Sequence, residues 1–309
     1  WQRITWDEAM QTIGEKFQQI IDRYGGQSIF NMAGTSRQWV YGPYAFYKWL
    51  FDTPNAHVAS EICKGPRRLM GWISSVDGAP WMALRDGPRV YVQWGTAPEN
   101  SNYDDSCRNL VDKMNEADVH ICIDPRLSGS GKEADYWLNL KPGTDGALAL
   151  AMLNVIISED LYDHDFVAKW CYGFDELAER VKEWTPERAE AVCWVPKDTI
   201  IGAARAYAKA KPATIHWGLP IDQAVVGIPT AQAINALWAV TGNTDVPGGN
   251  IIIRNAFEQN VSYNYGYQTL PAEVQAKRIG AEYPLMSKAG FSSTAHSDSI
   301  LQAIETGKP

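Results

Sequence analysis

Arg89-Val90-Tyr91-Val92-Gln93-Trp94-Gly95 and Val119-His120-Ile121-Cys122-Ile123-Asp124-Pro125 decide the fold of this chain. Each is a run of β-branched and aromatic residues stopped by turn residues. They read as strands over Arg89–Trp94, closed by Gly95, and Val119–Ile123, closed by Asp124-Pro125. Between them, Asp104–Met114 sets Cys107, Leu110, Val111 and Met114 at helical spacing. The alternation continues downstream. Helices are expected over Asp145–Ile157, Asp198–Ala210 (capped by Asp198 or Thr199) and Thr230–Val240, with strands over Thr214–Trp217, closed by Gly218, and Ile251–Ile253. Upstream, Thr5-Trp6-Asp7-Glu8 fits a capping box and opens a helix that Gly25-Gly26 ends. Ser28–Ala33 then reads as a buried strand stopped by Gly34. Between Leu161 and Trp194 the pattern turns to short helices over Asp165–Cys171, Phe174–Trp184 and Pro186–Val192. Strand, glycine turn and helix in alternation predict an α/β fold, with parallel sheets carrying helices on both faces in a Rossmann-like, doubly wound arrangement.

Composition narrows the function classes. The 309 residues carry 28 Lys+Arg against 36 Asp+Glu, a net charge of −8, which argues against a nucleic-acid binder. The longest apolar run, Ala147–Ile157, is interrupted by Asn154 and is far short of the roughly 20 residues that a membrane-spanning helix needs. Cys63, Cys107, Cys122, Cys171 and Cys193 form no C-x-x-C, so neither a zinc ribbon nor an iron–sulfur run is encoded, and a disulfide framework is not expected. His57, His120, His164, His216 and His296 show no metal-helix spacing, and there is no G-x-S-x-G elbow. His120 and His216 read as core or strand-end residues. Gly129-Ser130-Gly131-Lys132-Glu133-Ala134 fits G-x-G-x-x-A, but its distance from the preceding strand makes it an exposed loop and not a dinucleotide fingerprint. The chain opens on Trp1 and closes on the turn Thr306-Gly307-Lys308-Pro309, so both ends read as cut and the expectation is a fragment.

Open α/β sheets bind ligands outside the carboxyl ends of their strands. Gly34-Thr35-Ser36, Gly95-Thr96-Ala97, Asp124-Pro125-Arg126 and Gly218-Leu219-Pro220 therefore point to one extended crevice for a large, phosphate-bearing ligand. Cys63 is the informative cysteine. It lies in Ser60-Glu61-Ile62-Cys63-Lys64-Gly65-Pro66-Arg67-Arg68, where Pro66 reads as the first residue of a helix. A thiol just before a helix N-terminus, with Lys64, Arg67 and Arg68 nearby, favours thiolate. A thiolate there is a nucleophile or a soft-metal ligand.

The chain resembles the catalytic subunit of the molybdopterin oxidoreductases of the dimethyl sulfoxide reductase family. The resemblance runs from residue 1 to about 255. It is carried by Trp6-Asp7-Glu8-Ala9, by Trp94-Gly95-Thr96-Ala97-Pro98-Glu99-Asn100-Ser101 (where Ala97 replaces the family's usual Asn), and by Ile123-Asp124-Pro125-Arg126 with Ala134-Asp135. Lys141-Pro142-Gly143-Thr144-Asp145, Leu161-Tyr162-Asp163 and Thr241-Gly242-Asn243 with Pro247-Gly248-Gly249 continue it.

The resemblance implies a bis(molybdopterin guanine dinucleotide) cofactor with molybdenum or tungsten. It places Trp94, Gly95, Thr96, Glu99, Asn100, Ser101 and Gly218 on a pterin dinucleotide, and Asp124, Pro125 and Arg126 near ribose and guanine. Gly143, Thr144 and Asp145 fall on guanine, with Asp145 as acceptor; the alternative for Asp145 is an N-cap of its helix. Cys63 becomes the protein ligand to the metal and the catalytic residue. The family's [4Fe-4S] domain and closing β-barrel are missing from this stretch. Two α/β domains follow: a discontinuous, incomplete one from residues 1–60 and 256–309, and a dinucleotide-binding one over 61–255 with a helical insertion at 161–194. The implied chemistry is two-electron oxygen-atom transfer or reductive dehydroxylation of a small molecule, with the isolated chain inactive and free of molybdenum. Trp39, Tyr41, Tyr44, Trp72 and Trp81 suit an aromatic substrate. The alternatives are non-redox hydration or hydroxyl transfer within the same family, or an inert nucleotide-binding module. The partner implied is an iron–sulfur electron-transfer subunit, with room for a membrane-anchor subunit. An exported or cell-envelope setting is favoured and the cytoplasm stays open.

Overall fold

The computed structural model describes residues 1–33, 48–58, 60–74, 80–82, 86–101, 105–252, 267, 269–283 and 295–307. Gly34-Thr35-Ser36, Trp39, Tyr41, Tyr44 and Ile253 lie outside the described residues, as do the side chains of Lys64, Arg68, Trp72, Trp81, Ser101 and Cys107. The chain divides into two units, Trp1–Glu61 with Ala256–Pro309, and Ile62–Asn255.

In the first unit, α1 (Trp6–Tyr24) starts where the capping box places it, with Thr5 Oγ1 accepting from Glu8 N–H at 3.2 Å. β1 (Asn31–Ala33) pairs in parallel with β2 (Ala56–Val58). The buried strand expected from Ser28 is thus corrected. Gly26–Ser28 is a 3-10 turn, Ile29 C=O accepts from Thr53 Oγ1, and Met32 is 59% exposed. The backbone groups of the first half are used by a turn and a side chain, leaving only three residues to pair. The return segment joins through Ile279 N–H to Asn55 Oδ1 and Ala295 N–H to Ala56 C=O, both 2.9 Å.

The second unit runs α2 (Ser60–Ser74), β3 (Pro80–Met82), β4 (Val90–Trp94), α3 (Asp105–Glu116), β5 (Val119–Ile123) and β6 (Tyr136–Leu138). α4 (Asp145–Ser158), α5 (His164–Trp170), α6 (Phe174–Val181), α7 (Pro186–Cys193) and α8 (Lys197–Lys209) follow, then β7 (Ala213–Trp217), α9 (Gly227–Val240) and β8 (Asn250–Ile252). The sheet is all parallel in the order β6-β5-β4-β7, with Val90 opposite both Val119 and Ala213. This is the α/β fold the alternation predicts.

Side chains alternate across the sheet. Val92, Trp94, Ile121, Ile123, Ile215 and Trp217 share one face; Tyr91, Gln93, His120, Cys122, Thr214 and His216 share the other. α4 has no polar stripe, because it packs against α6, α7, α8 and α9 and is buried around its girth.

Four local expectations are revised. β8 does not extend the sheet but pairs antiparallel with β3. The free edge of β7 is met instead by the Asn250 amide, whose Oδ1 accepts from Ile215 N–H while its Nδ2 donates to Ile215 C=O, both 2.9 Å. α8 begins at Lys197 behind Pro196, so neither Asp198 nor Thr199 caps it, and α9 begins three residues early, with Pro229 in its first turn. Gly129–Lys132 is a helical turn and not an open loop, with Ser130 and Gly131 buried and Gly129 and Lys132 exposed. Ser128 caps it, and Gly131 sits so close to Cys122 that a Cβ would lie 3.2 Å from the sulfur. β6 was not anticipated, since three residues are too few to show alternation.

Candidate functional site

The carboxyl ends of β4, β5 and β7 open on a crevice of about 650 Å³. From β4 the chain winds one way to β5 and β6 and later returns on the other side as β7. The reversal falls between β4 and β7, the position where open α/β sheets bind ligands. Three of the four predicted turns meet here: Gly95, Asp124-Pro125 and the segment after Gly218. The fourth, Gly34-Thr35-Ser36, lies outside the described residues.

The floor is made by close backbone approach. Gly95 adopts φ 59° and donates to Ile123 C=O at 2.8 Å, with the Pro220 ring against it. Gly218 N–H donates to Trp94 C=O at 2.9 Å, and a Cβ on Gly218 would lie 2.0 Å from Gly95 O. Gly143 needs its φ of 83° for a different reason: it turns the chain into α4 beside open space.

Asp145 and Asp124 charge one wall. Asp145 is the first residue of α4 and 8% exposed; its Oδ1 accepts from the Trp94 indole Nε1 at 2.9 Å. Burial pushes its carboxyl above the ordinary range, against the Trp94 bond and the Asp145 and Gly143 backbone amides. Thr144, not Asp145, holds the N-cap position, and its hydroxyl donates to Lys141 C=O at 2.6 Å. Thr144 makes no side-chain cap bond, and the Asp145 carboxyl itself takes a first-turn amide. Asp124 Oδ1 accepts from Arg126 N–H at 2.8 Å. Two carboxylates repel phosphate and favour a ligand edge rich in N–H donors, such as guanine N1–H and N2–H.

The remaining predicted residues sit elsewhere. Thr96 offers its carbonyl to Gln93 Nε2, Asn100 and Arg126 are exposed, and Ser101 ends a one-turn helix over Pro98–Ser101. Glu99 Oε1 accepts from Ser130 Oγ at 2.7 Å, while its Oε2 is buried without a hydrogen-bond partner. The sequence reading missed the wall formed by Pro220 and Gln223–Val226. Val225 and Val226 are apolar residues in a turn, and both are exposed, Val225 fully.

Cys63 is half-buried in the first turn of α2 and does not line this crevice. The helix starts at Ser60, so Pro66 lies inside it and not at its first position, correcting the expected start. Pro66 has no N–H for the carbonyl four residues back. Its ring packs where a Cβ on Gly227 would sit, which sets α2 against the segment following the crevice wall. Among the described residues no three His, Cys, Asp or Glu side chains converge to hold a metal, and no helix is long and apolar enough to cross a membrane.

A family profile described as "Molybdopterin oxidoreductase" matches residues 91–300. The chain is 53% identical over 170 residues to dopamine dehydroxylase of Eggerthella lenta, covering 55% of this chain and 17% of that protein. It is 31% identical over 295 residues to acetylene hydratase of Syntrophotalea acetylenica (94% of this chain, 40% of the relative). It is 32% identical over 254 residues to formate dehydrogenase H of Escherichia coli (80% and 35%). The solved structure of acetylene hydratase from Pelobacter acetylenicus superposes with a TM-score of 0.83 at 27% identity, covering 100% of this chain and 45% of that one. The chain thus spans less than half the length of each of these relatives.

Proposed function

Because this chain belongs to the molybdopterin oxidoreductase family, we propose that it is the dinucleotide-binding portion of an enzyme that reductively removes a hydroxyl group from an aromatic substrate. The observation that carries this is the 53% identity with a dopamine dehydroxylase over 170 residues. The overall change is ArOH + 2 H⁺ + 2 e⁻ → ArH + H₂O. The cofactor is a molybdopterin with molybdenum or tungsten, in the finer reading two guanine dinucleotides. When bound it supplies the two-electron exchange and an open metal position.

The crevice residues fit the nucleotide end. Asp145 and Asp124 accept from the guanine edge. Gly95 brings bare backbone to the floor, Gly218 lets the two strand ends close behind it, and the open space at Gly143 leaves room for the ring. Cys63 is the protein ligand to the metal, the other sulfurs coming from the pterins. A [4Fe-4S] cluster outside this stretch and an iron–sulfur partner subunit would supply the electrons.

The test uses the metal-loaded full polypeptide with catechol substrates and a reduced viologen. One oxygen should leave the substrate for every two viologen electrons consumed. Hydration is the second reading, favoured by the superposition on acetylene hydratase over the whole chain. Turnover without any reductant would establish it and overturn dehydroxylation. X-ray absorption at the metal edge reads the ligand: Cys63→Ser should exchange one sulfur for one oxygen.

A further inference from the structure

We propose that the buried Arg67–Asp222 pair is the positioning element that ties the Cys63 turn of α2 to the wall of the crevice. The inference rests on the reading of Cys63 as metal ligand and names what would hold that ligand in place.

Arg67 lies one helical turn after Cys63, on the same face. Its Nη2 donates to Asp222 Oδ2 at 2.9 Å and to Trp217 C=O at 2.8 Å. Its backbone N–H, which in an uninterrupted helix serves the carbonyl of Cys63, donates to Asp222 Oδ1 at 3.0 Å. Both carboxylate oxygens therefore hold one residue of the helix, by backbone and by side chain. Pro66, next to it, contributes no N–H at all. Pro66 leaves the α2 ladder one donor short in the turn of Cys63, and Asp222 meets the helix at the next residue.

Asp222 is itself fixed. It is 3% exposed, Trp217 Nε1 donates to its Oδ2 at 3.2 Å, and Trp217 stacks on Trp238 of α9 at 5.4 Å. Arg67 also lies over the Trp217 ring, 5.0 Å from its centroid. The next residue, Gln223, begins the wall that runs to Val226.

Stability alone does not require this arrangement. Buried ion pairs are often replaced by apolar side chains of similar volume at no loss of stability. What an apolar pair lacks is direction: a planar guanidinium and a carboxylate fix angle as well as distance. A displacement of about 1 Å at a reacting centre lowers rate by about 100-fold, so a ligand on an interrupted helix gains from such a tie.

The experiment uses the metal-loaded full polypeptide carrying Arg67→Met with Asp222→Leu, and separately Arg67→Lys. Three quantities are read: the electron paramagnetic resonance spectrum of the one-electron-reduced metal, kcat and KM, and hydrogen exchange of the α2 amides. The apolar pair should shift the metal spectrum, lower kcat about 10–100-fold with KM within about threefold, and speed exchange around residues 62–67. Arg67→Lys, which keeps the charge and loses the fork, should fall between. Wild-type spectrum and kcat in the apolar pair, or in Arg67→Lys should the former not fold, would overturn the proposal. The ligand reading fails separately, by an unchanged sulfur count in Cys63→Ser; accelerated α2 exchange in the apolar pair would then show a tie that holds the helix but not a ligand.

Discussion

Replacing Gly218 by Ala drives a methyl group into the backbone of the neighbouring strand end. The added Cβ would sit 2.0 Å from Gly95 O and 2.9 Å from Gly95 C, whereas real Cβ atoms keep beyond 3.0 Å. The ends of β4 and β7 must therefore part by about 1 Å. That stretches the Gly218 N–H to Trp94 C=O bond from 2.9 Å past hydrogen-bond length. Leaving those two groups unpaired costs about 1–3 kcal/mol, and overpacking about 1–3 kcal/mol more. The two overlap, so a total of about 2–5 kcal/mol is expected, a fall of roughly 5–15 °C in melting temperature for a unit of this size. Backbone strain contributes nothing, since Gly218 has φ −100°, open to any residue. Gly143→Ala is the control. Nothing lies within 4 Å of its Cβ position, and its φ of 83° alone should cost about 1–2 kcal/mol. Denaturant unfolding measures both, and GDP titration followed by tryptophan fluorescence reads the crevice. A Gly218→Ala protein within about 0.5 kcal/mol of wild type, the range of neutral surface changes, would refute the close-approach argument.

Asp145→Asn keeps an acceptor for the Trp94 indole but loses the charge, so it should leave melting nearly unchanged and weaken GDP binding by about tenfold, near the 1.4 kcal/mol of one lost charge-assisted bond. Because burial raises the Asp145 pKa, the wild type should lose stability as pH rises from 3.8 through the raised folded value, and Asp145→Asn should lose less over that window. His216 behaves oppositely. Burial, with Arg67 nearby, lowers its pKa from 6.5 to about 3, so the folded state holds it neutral; stability should fall as pH drops from 6.5 towards 3, and urea titration of His216→Gln should show a flatter acid limb.

How legible each element was follows from how far its cause lies along the chain. β4, β5, β7 and α4 could be read because each is a long apolar run with its own stop signal, and Thr5 capped α1 for purely local reasons. The failures are nonlocal. Nothing near Ile251 says that the Asn250 amide will occupy the β7 edge and send β8 to β3. Pro66 looks like a helix start because its own residue cannot report a turn already formed by Ser60–Gly65. At the site, Gly95, Asp124 and Gly143 were legible as turn residues after strands, and Asp145 as the head of the next helix. The Ser130 bond to Glu99 Oε1 was not legible, because only the folding of Gly129–Lys132 under β5 brings the two together. The wall at Gln223–Val226 was passed over because exposed valines carry no periodicity.

Among the described residues, the two parts of the first unit are joined by partners far apart in sequence, among them Trp49 with Thr269, Asn55 with Ile279 and Ala56 with Ala295. During synthesis the residues of the second unit emerge without interruption, and all four strands of its parallel sheet are on hand once β7 has left the ribosome. The first unit must wait, with Asn55 and Ala56 lacking the partners they meet in the return segment, until that segment arrives some two hundred residues later. Chain-closure entropy slows such pairing, and exposed strand edges and apolar faces invite misassembly meanwhile. The half-made first unit is therefore where chaperone dependence and aggregation of this protein should concentrate.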